Sequence, residues 1–129
     1  MEKLRRNYPD ISPSGPNYAR AVRAGNQLFV SGCTAMKTPA EGGPAIEQLK
    51  VVLDKLVRIV AAEGGTPTDI VKITTFVTDI GDWWPLPDEQ LALYDEYFEG
   101  QHPANSLVEV SALAEPGLNL EIEAIAVIG

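Results

Sequence analysis

Two segments near the C-terminus carry the clearest structural pattern of this chain. Residues 102–110 read His-Pro-Ala-Asn-Ser-Leu-Val-Glu-Val, and residues 120–127 read Leu-Glu-Ile-Glu-Ala-Ile-Ala-Val. Apolar and polar side chains alternate through both, which predicts two β-strands, over 106–113 and 119–128. In the second strand the apolar positions share one face, which we expect helices to cover: Leu120, Ile122, Ala124, Ala126 and Ile128.

The opposite face of these strands is half polar and half aliphatic. It carries Glu121 and Glu123 beside Ile125 and Val127, and Glu109 lies on the preceding strand. Two helices can cover only one side of a sheet, so the aliphatic part favours burial against another subunit, at roughly 25 cal/mol per Å² of apolar area. A one-sided sheet facing water is the alternative.

The remaining segments supply the other elements of one domain, residues 1–129. Residues 1–17 are rich in Pro, Gly, Ser and Asn and predict an irregular arm. Spacing and turn signals then predict strands at 18–24, 27–32 and 69–79 and helices at 44–63 and about 87–100, the second burying Leu91, Tyr94 and Phe98. The order β-β-α-β-α-β-β predicts an α+β fold, one sheet with two helices on one face.

Composition narrows the classes of partner. The formal net charge is −8, which disfavours binding to nucleic acid or to an anionic membrane surface. A single cysteine, Cys33, excludes an internal disulfide and a multi-thiolate zinc site, and we expect no metal. The N-terminus has no apolar segment typical of a secretory signal, so we expect a cytoplasmic protein.

Four ordered segments resemble one known family. They are Ala-Val-Arg-Ala-Gly-Asn-Gln-Leu-Phe-Val-Ser-Gly at 21–32, Ala-Ala-Glu-Gly-Gly at 61–65, Asp-Ile-Val-Lys-Ile-Thr-Thr-Phe-Val-Thr-Asp at 69–79, and the C-terminal block. Together they are similar to the RidA/YjgF/UK114 family of imine and enamine deaminases. The resemblance implies a chorismate-mutase-like fold and a homotrimer with ligand clefts between subunits. It also implies hydrolysis of small substrates such as 2-iminobutanoate and 2-aminoacrylate without a cofactor.

The resemblance also implies roles for particular residues. The family glutamate that positions the attacking water corresponds to Glu121, and a carboxylate suits that role because it can orient water and relay protons. The pocket tyrosine corresponds to Tyr18, and the Ser-Gly pair that lines the pocket to Ser31 and Gly32. We place Leu107 in the same substrate-binding group.

One position departs from the family pattern. The family arginine that grips the substrate carboxylate in bidentate fashion corresponds here to Asn105, which carries no charge and no guanidinium fork. The substitution predicts a substrate other than the usual short 2-imino acid. That substrate either lacks a carboxylate at this end or holds a neutral carbonyl or amide there; an aminomuconate-like acid or a biosynthetic intermediate would also fit.

Three functions stay open on the sequence alone. The first is a hydrolase using Glu121 and general acid/base chemistry; the second is a non-catalytic trimeric binding or regulatory module, favoured by the missing arginine. The third makes Cys33 a nucleophile, activated if a nearby base lowers its pKa. His102 is the only histidine; its position before Pro103 suits a surface loop residue, and a Cys33–His102 dyad across subunits is the alternative. Trp83 and Trp84 are expected to pack on the core or to roof a pocket.

Overall fold

A computed structural model describes the whole chain, residues 1–129. It contains six strands, two α-helices and two short 3₁₀ turns, at Pro67–Asp69 and Ile80–Asp82. In chain order the main elements are β1 Lys3–Arg6, β2 Ala21–Ala24, β3 Gln27–Cys33, α1 Ala45–Ala62, β4 Ile70–Val77, α2 Asp88–Phe98, β5 Ala104–Glu109 and β6 Leu120–Val127.

The six strands form one mixed sheet in the order β1-β2-β3-β6-β4-β5. All neighbours are antiparallel except β4 and β5, which run parallel. Both helices lie on one face, where α1 packs against β3 and β6. The α+β architecture predicted from the sequence is therefore confirmed. Neither helix combines the length and apolar character required to cross a membrane.

The core lies between this face of the sheet and the helices. As predicted, the apolar face of β6 is buried against α1, whose apolar stripe is also fully buried. The side chains of that stripe are Leu49, Val52, Leu53, Leu56, Ile59 and Val60. The sheet face away from the helices is exposed in the single chain, with Phe29, Val108 and Val127 each about two-fifths exposed.

The prediction of an irregular arm over residues 1–17 is wrong for its first part. Lys3–Arg6 forms β1, which pairs with β2 at the edge of the sheet. The Tyr8 hydroxyl then donates a hydrogen bond of 2.8 Å to Glu63 at the end of α1. An edge strand of this kind is held by backbone pairing and has few apolar side chains, so periodicity does not reveal it.

Three strands differ in detail from the prediction. β2 begins at Ala21 and not at residue 18, because its partner β1 ends at Arg6, which pairs with Ala21. β5 begins at Ala104 and ends at Glu109, because β4, its only partner, ends at Val77. The Val110 N–H makes the last backbone hydrogen bond to Val77, and residues 111–113 have no strand to pair with. A register shift between Ile70 and Lys72 also brings Ile70 onto the buried face with Ile73, where strict alternation puts them on opposite faces.

The predicted buried side of helix α2 is wrong at Leu91, although Phe98 is buried as predicted. Gln90, Leu93 and Phe98 are buried, whereas Leu91 is 42% exposed and Tyr94 is only partly buried by surface area. Gln90, Leu91 and Tyr94 all line a cavity beside β5.

Candidate functional site

A cluster around Glu121 lies on the sheet face opposite the helices. Gly32 is the neighbour that makes room for it, because a Cβ at Gly32 would lie 2.5 Å from Glu121 Cδ and 2.7 Å from its Oε2. No ordinary contact is that short, so the carboxylate can occupy its position only above a glycine. We call Glu121, Gly32, Ser31, Tyr18 and Arg20 the Glu121 cluster.

Arg20 connects the members of this cluster, a role that no sequence pattern indicated. It is only 4% exposed. One terminal nitrogen, Nη1, donates to the carbonyl oxygens of Gly32 (2.8 Å) and Ser31 (3.3 Å). The other, Nη2, donates to the Tyr18 hydroxyl at 3.0 Å. An arginine just before a strand reads as a solvent residue, and only the packing shows that it is buried.

Tyr18 and Ser31 contribute to the cluster in different ways. The Tyr18 ring is about half exposed, and the Arg20 guanidinium carbon lies 5.2 Å from its centroid. The Ser31 hydroxyl donates to the Ala19 carbonyl at 2.7 Å. The Ser31 side chain therefore bonds the local backbone, and its main-chain N–H donates to the Arg20 carbonyl at 2.9 Å. Gly32 alone is shown in contact range of the carboxylate.

The electrostatic setting of Glu121 favours retention of a proton. Partial burial raises the pKa of its carboxyl above the ordinary value, the positive charge of Arg20 opposes that rise, and the nearby Glu123 adds to it. None of the chain's ion pairs includes Arg20, so its charge is not cancelled by a bound carboxylate. A carboxyl poised in this way can both accept and return a proton closer to neutral pH.

A second candidate site is a cavity of about 320 Å³ between β5 and α2, which we call the α2 cavity. Asn105 lies in its wall, with its Oδ1 accepting a hydrogen bond of 3.0 Å from the Thr75 hydroxyl. Leu107 lies in the same wall and packs against the core. The other lining residues are Ile73, Trp83, Trp84, Leu86, Gln90, Leu91, Tyr94, His102 and Pro103.

The single chain keeps Asn105 and Glu121 apart. In the strand register, Asn105 on β5 lies opposite Ile73 on β4, whose side chain is buried on the helix side of the sheet. Glu121 on β6 lies opposite Phe76 on β4, whose side chain is on the other face. Because side chains alternate across a strand, the two residues lie on opposite faces of the sheet. The predicted site thus divides into two groups, with Tyr18, Ser31 and Gly32 beside Glu121, and Leu107 beside Asn105.

The structure argues against Cys33 as a nucleophile. Its side chain is 1% exposed and belongs to the core. Burial raises the pKa of the Cys33 thiol, although the charges of Arg20 and Lys55 oppose the rise. His102 lies at the α2 cavity, where its Nε2 is 2.9 Å from Asp95 Oδ1. Within the chain no histidine pairs with Cys33, and a buried thiol with a raised pKa is a poor nucleophile.

No three of the histidine, cysteine, aspartate and glutamate side chains converge in a way that could hold a metal ion. The polar groups of the two sites are a carboxyl, a guanidinium, amides, an indole N–H, hydroxyls and one imidazole. Such groups can bind a small organic molecule and move protons.

Comparison with known proteins assigns the chain to a family. The family model described as "Endoribonuclease L-PSP" matches residues 10–128. A RutC family protein of Pyrococcus horikoshii is 36% identical over 118 residues, which cover 88% of each chain. The 2-iminobutanoate/2-iminopropanoate deaminase of Capra hircus is 36% identical over 119 residues, which cover 89% of this chain and 82% of that protein.

The chain belongs to the RidA/YjgF/UK114 family.

Solved structures of family members superpose on nearly the whole chain. A YjgF/YER057c/UK114 family member from Mycobacterium tuberculosis superposes with a TM-score of 0.79 at 30% identity, covering 98% of this chain and all of the other. A Rid family protein of Yersinia pestis gives a TM-score of 0.84 at 28% identity with the same coverage. The family resemblance seen in the sequence is confirmed, and the chain has the sheet and the two helices of a RidA protein.

Proposed function

We propose that this RidA-family chain hydrolyses small imines or enamines, with Glu121 as the group that moves protons. The observation that carries the proposal is the carboxyl of Glu121, which lies over Gly32 and close to a buried arginine and has a raised pKa. The names of several relatives support it: a 2-iminobutanoate/2-iminopropanoate deaminase in Capra hircus, and a reactive intermediate deaminase, TdcF, in Escherichia coli.

The proposed reaction requires only water and proton transfer. The imine reacts in its nitrogen-protonated form. Glu121 takes a proton from water as the oxygen bonds to the imine carbon, and the C=N electron pair moves to the nitrogen, which becomes a neutral amine. The Glu121 proton then passes to that nitrogen, ammonia leaves, and the hydroxyl proton is lost as the carbonyl forms. An enamine first accepts a proton at carbon to become the imine. A carboxyl with a raised pKa suits these steps because it carries the proton between them.

We propose that the complete site forms between copies of the chain, arranged as a homotrimer. Asn105 and Glu121 lie on opposite sheet faces, so a cleft containing both requires a neighbouring subunit. The exposed apolar side chains on the open face support this, because Phe29, Val108 and Val127 form a surface typical of an interface. Sedimentation or light scattering would test the proposal, and a monomeric active enzyme would contradict it.

Asn105 sets the proposed substrate range. An arginine fork would bind a carboxylate through two charged hydrogen bonds. Loss of a charged hydrogen bond typically costs about 1.5–3 kcal/mol, or roughly ten- to a hundredfold in rate or affinity. We therefore expect slow hydrolysis of 2-iminobutanoate and faster hydrolysis of imines or enamines whose far end is uncharged.

The decisive experiment compares wild type, Asn105→Arg and Glu121→Gln on 2-iminobutanoate and on a panel of uncharged imines. We expect Asn105→Arg to raise kcat/KM for 2-iminobutanoate by about ten- to a hundredfold, and Glu121→Gln to abolish hydrolysis of every substrate. Wild-type hydrolysis of 2-iminobutanoate as fast as that of Asn105→Arg would refute the substrate restriction. Full activity of Glu121→Gln would refute the role of the carboxyl.

The missing arginine also supports a second candidate, a trimeric ligand-binding module without catalysis. It predicts that neither wild type nor Asn105→Arg hydrolyses any imine in the panel, while a small molecule still co-purifies in the cleft. Mass spectrometry of the purified protein would identify that molecule.

We propose no nucleic-acid substrate for this member, although the matching family model is described as an endoribonuclease. A net charge of −8 repels the phosphate backbone. Incubation with labelled single-stranded RNA at low salt tests this, and cleavage that Glu121→Gln abolishes would contradict it.

A further inference from the structure

Arg20 is a buried cation for which the chain provides no counter-ion. It is 4% exposed, and none of the ion pairs includes it. Its terminal nitrogens donate to uncharged groups: the carbonyl oxygens of Pro13, Ser31 and Gly32, the Tyr18 hydroxyl and, at 3.9 Å, the Cys33 sulfur. Burial of a charge is costly unless it is paired, and a neutral amide also donates hydrogen bonds. The positive charge itself therefore requires an explanation.

The hydrogen bond between Arg20 and Tyr18 has only one possible direction. A guanidinium can only donate, so the Tyr18 oxygen accepts, at 3.0 Å. The hydroxyl proton is then free, since Tyr18 is 48% exposed and takes part in no other side-chain hydrogen bond. Because hydrogen bonds in a chain polarise one another, the bond from the cation makes the Tyr18 hydroxyl a stronger donor to a molecule bound beside it.

Two glycines make room for the groups that Arg20 connects. A Cβ at Gly15 would lie 2.8 Å from Cζ of the Tyr18 ring, just as a Cβ at Gly32 would collide with Glu121. Arg20 reaches both places, with Nη2 on the Tyr18 hydroxyl and Nη1 on the Gly32 carbonyl at 2.8 Å. The planar guanidinium suits this bridge, because its nitrogens point in fixed directions.

The charge of Arg20 also acts on Glu121. Burial and the neighbouring Glu123 raise the pKa of the Glu121 carboxyl, and the charge of Arg20 is the one influence that opposes the rise. A group that accepts a proton from water has to be ionised when it does so. The charge of Arg20 therefore favours the form of Glu121 that begins the reaction.

We propose that Arg20 is a positioning residue of the reaction, which acts through Tyr18 and Glu121 without touching the substrate itself. It holds the Tyr18 hydroxyl with its proton free to donate to the substrate. It also fixes the main chain of Gly32 beside the Glu121 carboxyl and favours the ionised form of that carboxyl. The inference rests on the proposed function, because it gives Arg20 a part in proton transfer by Glu121, but its electrostatic part can be measured without substrate.

NMR titration of the glutamate carboxyl carbons tests the electrostatic part, with the Glu121 signal assigned by its loss in Glu121→Gln. Arg20→Met removes the charge and keeps a long side chain, so we expect the pKa of Glu121 to rise above its wild-type value. Arg20→Lys keeps the charge and should keep the wild-type midpoint. Arg23→Met is the matched control, because Arg23 pairs with Glu63 and is not among the charges that act on Glu121; it should leave the midpoint unchanged.

Hydrolysis of 2-iminobutanoate tests the positional part. We expect Arg20→Lys to lower kcat/KM about tenfold or more, the ratio typical of one hydrogen bond to a charged group, because an ammonium cannot form both arms of the bridge. Tyr18→Phe should lower kcat/KM by a similar factor, and the double variant should lose much less than the product of the two factors. Circular dichroism melting curves establish that each variant is folded, and these two variants decide the proposal should Arg20→Met fail to fold.

Three results would overturn the proposal: an unchanged pKa of Glu121 in a folded Arg20→Met, an equal rise in Arg23→Met, or wild-type kcat/KM in Arg20→Lys. If hydrolysis still depends on Glu121 in any of these cases, the proposed function stands and only the role of Arg20 fails. If the wild type hydrolyses no imine, the proposed function fails, and a raised pKa of Glu121 in Arg20→Met then assigns Arg20 only to the charge state of that carboxyl.

Discussion

Gly32→Ala is the substitution for which the structure gives the sharpest expectation. The new Cβ would lie 2.5 Å from Glu121 Cδ and 2.6 Å from its Cγ. The backbone of Gly32 does not adopt the left-handed conformation that favours glycine, so alanine is compatible with the main chain. The perturbation therefore acts on one neighbour, the side chain of Glu121.

The size of the effect follows from these distances. Ordinary contact begins near 3.4 Å, so the Glu121 carboxyl group has to move by about 1 Å. Overpacking typically costs about 1–3 kcal/mol, and we expect the lower end because Glu121 is partly exposed and can swing aside. A misplacement of about 1 Å in a catalytic group can reduce the rate by about a hundredfold, so activity should suffer far more than stability.

A double-mutant cycle isolates this contact. Urea unfolding at one fixed protein concentration would give the free energy of unfolding for wild type, Gly32→Ala, Glu121→Ala and the double variant. In the Glu121→Ala background the clash is gone, and Gly32→Ala should instead stabilise by about 0.4–1 kcal/mol by restricting the unfolded chain. Gly81→Ala is the control, since its Cβ would meet only Asp79 Oδ1 at 3.4 Å.

Two results would refute this reasoning. The first is an equal effect of Gly32→Ala in both backgrounds, which would mean that Glu121 does not lie over Gly32. The second is wild-type kcat/KM in a folded Gly32→Ala, which would mean that the position of the carboxyl does not matter for the reaction.

Three further predictions concern the other side chains. Because the pKa of Glu121 is raised, the free energy of unfolding should fall as pH rises through that pKa, and wild-type hydrolysis should rise over the same interval as the base deprotonates. Glu121→Gln should remove the pH dependence of the free energy of unfolding in this interval, measured by urea unfolding at several pH values; an unchanged dependence in that variant would contradict the assignment to Glu121. Tyr8→Phe should lower the free energy of unfolding by about 1 kcal/mol in urea, because it removes the 2.8 Å hydrogen bond to Glu63; an unchanged midpoint would mean that β1 is held by its strand pairing alone. Cys33→Ala should keep hydrolytic activity, and the wild-type thiol should react with Ellman's reagent only after unfolding; rapid reaction of the native protein would contradict its burial.

Periodicity was sufficient for most of the fold. The alternation in residues 120–127 predicted the buried face of β6, and the spacing of leucines and valines predicted the buried stripe of α1. These predictions succeed because burial selects apolar side chains at the period of the element itself. The same rule failed for β1 and for the end of β5, where backbone pairing, or the lack of a partner strand, decided the outcome.

The candidate site was predictable only in part. The sequence pointed to Glu121, Gly32, Tyr18 and Asn105. It gave no indication of Arg20, whose guanidinium is held by the carbonyl oxygens of Pro13 and Gly32, in the segments on either side of β2. The burial of Gln90 on α2 was equally unpredictable, because periodicity assigns buried helix positions to apolar residues and an amide does not stand out as one of them.

The sequence by itself determined the family, the order of the elements after β1 and the chemistry available to the chain, because these depend on residue identity and on short-range spacing. The tertiary structure decided which of those groups meet. It places Arg20 near Glu121 and buries Cys33 in the core. It also puts Asn105 and Glu121 on opposite faces of the sheet. That separation arises because side chains on one sheet alternate between its two faces, and the register of strand pairing, set by contacts distant in sequence, fixes which face each residue takes.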